Sequence, residues 1–83
     1  MIKKYRKLPV VIEALQYTGD NYEEVCEYVG ETTLSSDIYK RLWIQSLEGW
    51  VKVSVGSYIV KGIKGEFYPC RGDIFRELHE EVE

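Results

Sequence analysis

The segment Lys61–Phe75, KGIKGEFYPCRGDIF, restricts the fold of this chain more than any other. Gly62 and Gly65 lie between two runs of strand-forming residues, where turn-forming glycines close a tight hairpin. Pro69 lacks the N–H for a ladder bond, so a strand reaching it either stops there or runs along an edge. Beyond Gly72, an aspartate at helix-cap position precedes apolar residues at helical spacing: Ile74, Phe75, Leu78 and Val82. The reading is a hairpin that switches into a terminal helix. It contains no catalytic signature.

The remaining elements fit around that unit. Leu8 precedes Pro9 and is pushed towards extended backbone. Val10–Tyr17 alternates as a strand, with the wholly apolar face Val10, Ile12 and Ala14 expected in the core and the mixed face of Val11, Glu13, Leu15 and Tyr17 expected to be half exposed. Asp20 and Glu23 have capping-box spacing, and Tyr22, Val25, Cys26 and Val29 form one helical stripe that ends at Gly30. Residues 31–40 read as a polar loop, with a short helical turn starting at Ser36-Asp37. Arg41–Leu47 and Trp50–Val55 read as a hairpin turning at Glu48-Gly49, with Val51, Val53 and Val55 inward and Trp50, Lys52 and Ser54 outward. After Gly56-Ser57 come strands at Tyr58–Lys61 and Glu66–Tyr68. This order predicts an α+β domain: one antiparallel sheet of roughly four or five strands, covered by two short helices.

Bulk properties bound the class. Eighty-three residues make one domain, 1–83, that buries roughly 60–65% of its unfolded surface. A chain 45% hydrophobic and 30% charged is globular, and a net charge of −3 demands no strongly charged partner. The charge is segregated, however. Lys3, Lys4, Arg6 and Lys7 make a basic arm over residues 1–9, while Asp73, Glu77, Glu80, Glu81 and Glu83 make the other end acidic. The two ends can attract each other or a partner, or simply be solvated. Cys26 and Cys70, without CxxC spacing, give neither a zinc site nor a disulfide framework. With no signal peptide and no run of the ~20 apolar residues a membrane span needs, the expected location is the cytoplasm, with reduced thiols and no membrane partner.

Several long runs resemble one family. KKYRKLPVVIEALQYTG at Lys3–Gly19, LEG at Leu47–Gly49, VGSYIVKG at Val55–Gly62, GEFYPC at Gly65–Cys70 and DIF at Asp73–Phe75 are similar, in order and spacing, to a widespread family of short tailed-phage and prophage accessory proteins. The match covers most of the chain outside 31–40. The family usually has an acidic residue at the position of Ser57 and a proline at that of Gly72; both departures fall in turns. The resemblance implies an accessory role in a bacterial host and supplies no catalytic residue.

Candidate chemistry is sparse. His79, the one histidine, sits among glutamates and is expected to be solvated. Cys70 has no partners for a triad beyond a histidine nine positions away, and its expected role is structural. Gly62-Ile63-Lys64-Gly65 spells the GxxG of KH domains, but that loop joins helices and this one joins strands. Arg71-Gly72-Asp73 spells an integrin tripeptide that a cytosolic chain has no use for. No catalytic residue, metal or cofactor is expected.

What remains is an aromatic surplus: seven Tyr, two Trp and two Phe. Such residues favour binding surfaces, although a thin core also needs large side chains. The sequence therefore points first to a non-enzymatic protein that binds a bacterial host or defence protein, such as a CRISPR–Cas component, through Trp50, Lys52, Tyr58, Lys61 and Lys64. The alternative is sequestration of a nucleotide or cyclic nucleotide in an aromatic pocket with at least two cations. Monomer and homodimer both stay open, since Val10–Tyr17 can pair across a two-fold axis.

Overall fold

The computed structural model describes residues 1–30, the backbone of 34–36, and 41–82. The elements, in order, are β1 (Glu13–Gln16), α1 (Tyr22–Val29), β2 (Leu34–Ser36), β3 (Leu42–Ser46), β4 (Gly49–Val53), β5 (Tyr58–Lys61), β6 (Phe67–Cys70) and α2 (Gly72–Leu78). The α+β class stands. The single sheet does not: the strands form two three-stranded antiparallel sheets, ordered β1-β5-β6 and β2-β3-β4. The chain changes sheet between β4 and β5. Gly56 takes φ 93° there, and the Ser57 N–H donates to the Ser54 carbonyl at 3.0 Å. β5 then pairs with distant β1 rather than with β4. The polar stretch expected as loop contributes β2, which pairs with β3. The helical turn expected towards Tyr39 lies outside the described residues.

The core lies between the sheets and under α1. Leu42, Ile44 and Val53 point inward from β3 and β4, Ile59 from β5, and Val25 and Val29 from α1. Tyr17, just past β1, is only 2% exposed and fills the centre. The expected phase of β1 is therefore reversed: Leu15 and Tyr17 pack inward, while Val10 and Ala14 are exposed. The physical reason is reach. The sheet begins only at Glu13, so Val10 and Ile12 precede it, and Tyr17 offers far more apolar area than Ala14.

α1 is anchored by the side chain of the residue that precedes it. Asn21, not Asp20, precedes the first helical residue. Its Oδ1 accepts from the Thr18 N–H at 2.9 Å and from the Thr18 hydroxyl at 3.1 Å, and its Nδ2 donates to the Gln16 carbonyl at 2.8 Å and to Glu24 at 3.0 Å. One amide side chain thus joins the end of β1 to the first turn of α1. Val25 and Val29 of the stripe are buried, Cys26 is half-buried rather than in the core, and Tyr22 is exposed.

α2 departs most from expectation. Asp73 lies inside the helix rather than capping it, and is bridged to Arg71 by two parallel bonds, Nε–Oδ1 at 3.1 Å and Nη2–Oδ2 at 2.7 Å. Of the predicted apolar stripe only Phe75 is half-buried; Ile74, Leu78 and Val82 are exposed. Phe75 stacks on Tyr58 with ring centroids 4.1 Å apart, and His79 stacks on Phe75 at 4.3 Å. His79 is therefore half-buried in a three-ring pile rather than solvated. Gly72 has a packing role: a Cβ there would collide with the Gly56 carbonyl, so the β4–β5 turn and the start of α2 touch backbone to backbone.

Candidate functional site

The hairpin β3–β4 is closed by a tight turn at Leu47-Glu48. The Ser46 hydroxyl donates to the Gly49 carbonyl at 3.0 Å and accepts from the Glu48 N–H at 3.1 Å, while Gly49 takes φ 105°. The register then follows: Ser46 faces Gly49, Gln45 faces Trp50, Ile44 faces Val51, Trp43 faces Lys52 and Leu42 faces Val53. Period-two alternation sends Leu42, Ile44 and Val53 to the core. It sends Trp43, Gln45, Trp50 and Lys52 to the opposite face, all of them exposed.

Trp43 and Trp50 are diagonal neighbours on this ladder, a separation of about 7–8 Å between Cα atoms. They are 36% and 49% exposed. Leu47, at the tip of the same hairpin, is exposed as well. Lys52 makes no ion pair among the described residues. Two indoles, one aliphatic tip, one amide and one ammonium thus share one solvent-facing ribbon. Large apolar area beside a few polar groups is the composition of a protein-contact core.

The other residues singled out from sequence are elsewhere. Tyr58 lies on β5 in the other sheet, half-buried under Phe75. Lys61 ends β5, and Lys64 sits in the β5–β6 turn, its N–H donating to the Glu66 carboxylate at 3.1 Å. Gly62 and Gly65 close that turn, Gly62 N–H to Glu66 carbonyl at 2.7 Å and Gly65 N–H to Gly62 carbonyl at 3.0 Å, as expected of a strand-joining GxxG. Lys61 also borders a cavity of about 310 Å³ with Val11, Ile12 and Ile63. Trp50 and Lys52 therefore share one face, while Tyr58, Lys61 and Lys64 belong to the other sheet and its hairpin. Trp43 and Gln45 join this face through the cross-strand register, which sets Trp43 opposite Lys52 and Gln45 opposite Trp50.

A larger cavity, about 490 Å³, lies between the β4–β5 turn and α2, bordered by Gln16, Ser57, Arg71, Asp73 and Arg76. It holds two guanidinium groups, but Asp73 already takes two donors of Arg71. That pairing holds the Asp73 carboxyl below its ordinary range, helped by the Ile74 N–H. No aromatic ring lines this cavity. Both cysteines are free and half-buried. Among the described residues no helix is long and apolar enough to cross a membrane.

Comparisons with protein-family models, with curated proteins and with solved structures find no match.

Proposed function

We propose that this chain is a non-enzymatic recognition protein, and that the outer face of β3–β4 is its contact surface. The observation that carries the reading is the pair Trp43 and Trp50, placed in solvent while smaller Leu, Ile and Val residues fill the core behind them. Exposing two indoles gives up burial that a thin core would otherwise use. Their recurrence on one ladder face, beside Lys52, fits a hot spot for another protein. The resemblance to tailed-phage accessory proteins suggests that the partner is a bacterial host or defence protein, bound and inhibited in the cytoplasm.

The test is capture from bacterial lysate on immobilised protein, comparing the natural chain with a Trp43→Ala/Trp50→Ala variant whose circular dichroism is unchanged. A partner retained by the first and lost by the second supports the proposal. A partner retained equally by both removes the face from consideration. Sequestration of a nucleotide ranks second, because it needs aromatic rings and two cations in one pocket. The cavity with Arg71 and Arg76 supplies the cations alone. A nucleotide screen by thermal shift separates the readings, since ligand at 100 times its Kd raises stability by about 2.7 kcal/mol.

A further inference from the structure

Ser57, in the turn where the chain changes sheet, is a polar residue only 7% exposed. Its N–H donates to the Ser54 carbonyl and its carbonyl accepts from the Tyr17 N–H, but its hydroxyl has no hydrogen-bond partner among the described residues. A hydroxyl withdrawn that far from water normally finds a partner. It is not sealed in as the Tyr28 hydroxyl is, and Ser57 borders the cavity of about 490 Å³ between the β4–β5 turn and α2. Ser54 borders the same cavity, and its hydroxyl is likewise without a partner among the described residues.

The α2 side of the cavity is cationic. Arg76 folds back along the helix, so that its Nη1 lies 3.1 Å from where a Cβ of Gly72 would stand. Its guanidinium makes no ion pair or hydrogen bond among the described residues. Arg71 commits Nε and Nη2 to Asp73 and keeps Nη1 uncommitted. With Asp73 counted, two positive charges and one negative border the cavity. The close approach of Gly72 to the Gly56 carbonyl fixes the hydroxyl side against the guanidinium side.

Hydroxyls able to donate, guanidinium groups that only donate, and a surplus positive charge select an anion. The donors come from two elements rather than from one plane. That suits a tetrahedral oxyanion better than a carboxylate, which a single guanidinium fork can serve. No aromatic ring borders the cavity, so a nucleobase finds nothing there to stack on. We infer that this cavity binds the phosphate group of a monoester whose carrier is not read through a base, with Arg76, Arg71 and Ser57 as its donors. A sugar phosphate and a phosphorylated side chain present the same chemistry. The site uses no residue of the β3–β4 face, so its failure would leave the recognition proposal untouched.

Titration calorimetry and amide chemical-shift mapping test it on the full chain. The probes are ribose 5-phosphate, phosphoserine and AMP, each compared with sodium chloride of equal ionic strength. Ribose 5-phosphate or phosphoserine should bind and shift the amides of Ser57, Gly72 and Arg76, and the tighter of the two names the carrier. AMP should bind less than about tenfold tighter than ribose 5-phosphate, since a stacked base would add at least that much. Arg76→Gln and Ser57→Ala should each weaken binding by at least about fivefold, the loss expected when a charge-assisted hydrogen bond is removed. Circular dichroism checks that both variants fold; Arg76 is exposed, so Arg76→Gln should keep the unliganded Tm. Should Ser57→Ala misfold, Arg76→Gln and the mapped amides of the natural chain decide. No response beyond that to chloride, shifts confined to other residues, full affinity in Arg76→Gln, or a preference for AMP of about tenfold or more would each overturn the inference.

Discussion

Tyr28→Phe should make this protein more stable. The Tyr28 ring sits against the core in an edge-on contact with Phe67, centroids 5.3 Å apart at 70°, and phenylalanine keeps that contact. The hydroxyl is buried without a hydrogen-bond partner. It lies near the Lys61 main chain, which favours its ionised form slightly, but it does not reach bonding geometry there. A buried polar group left unpaired costs about 1–3 kcal/mol, so deleting the oxygen should recover on the order of 1 kcal/mol after the small void it leaves. In a domain of this size that is about 4–8 °C in Tm. The alkaline limb gives a second readout. Burial, and secondly Glu13, raise the Tyr28 pKa above 10.0. The unfolded chain therefore loses this proton before the folded chain does. Stability is intact below pH 10.0 and falls as pH rises through the folded value, by up to about 1.4 kcal/mol per pH unit per tyrosine. Tyr17, raised mainly by burial and secondarily by Asp20, adds to the same limb. Urea unfolding of the natural chain and Tyr28→Phe at pH 7 to 11 measures both effects. The variant should be more stable at pH 7 and lose stability less steeply above pH 10. A variant less stable by 1 kcal/mol or more would show that the hydroxyl is paired, and would refute the reasoning.

Gly72→Ala should destabilise by about 1–2 kcal/mol in thermal unfolding, because the collision with the Gly56 carbonyl outweighs the helix propensity gained; a rise in Tm would show that the two backbones are not in contact. Ile44→Ala should cost about 2–5 kcal/mol, whereas the nearby outward Trp50→Ala should cost much less, and equal losses in denaturant titrations would contradict the assigned register. Below pH 4 the natural chain should lose a contribution that Asp73→Asn lacks. The folded Asp73 pKa is lowered below 3.8, so the Arg71 pair stabilises above that value and fades as pH falls through the folded one; identical acid limbs would remove the pair from the account.

The parts legible in the sequence are those set by local chemistry. Glycine punctuation placed both hairpins, and β5 runs over the predicted Tyr58–Lys61. Alternation sent Trp50 and Lys52 outward and Val53 inward. What depended on distant partners was not legible. The pairing of β5 with β1 instead of β4, which splits the sheet in two, is a contact across more than forty residues. The β1 phase reversed because the local pattern weighs Val10, Ile12 and Ala14 together, while burial is decided by where pairing starts and by the bulk of Tyr17. Val55, read as inward, lies past the end of β4 and is exposed. At the candidate site, Trp50 was readable as outward, but the exposure of Trp43 and the adjacency of the two indoles required the register that puts Trp43 opposite Lys52.

The account rests on those indoles serving recognition rather than folding. The most direct measurement is calorimetric titration of the captured partner with the natural chain and with Trp50→Ala, alongside the unfolding free energy of each. A hot-spot tryptophan predicts a loss of at least about 2 kcal/mol in binding, roughly thirtyfold in Kd, with folding stability changed by less than 1 kcal/mol. Unchanged affinity with a large loss of folding stability would assign Trp50 to the architecture and end the claim that this face is the site.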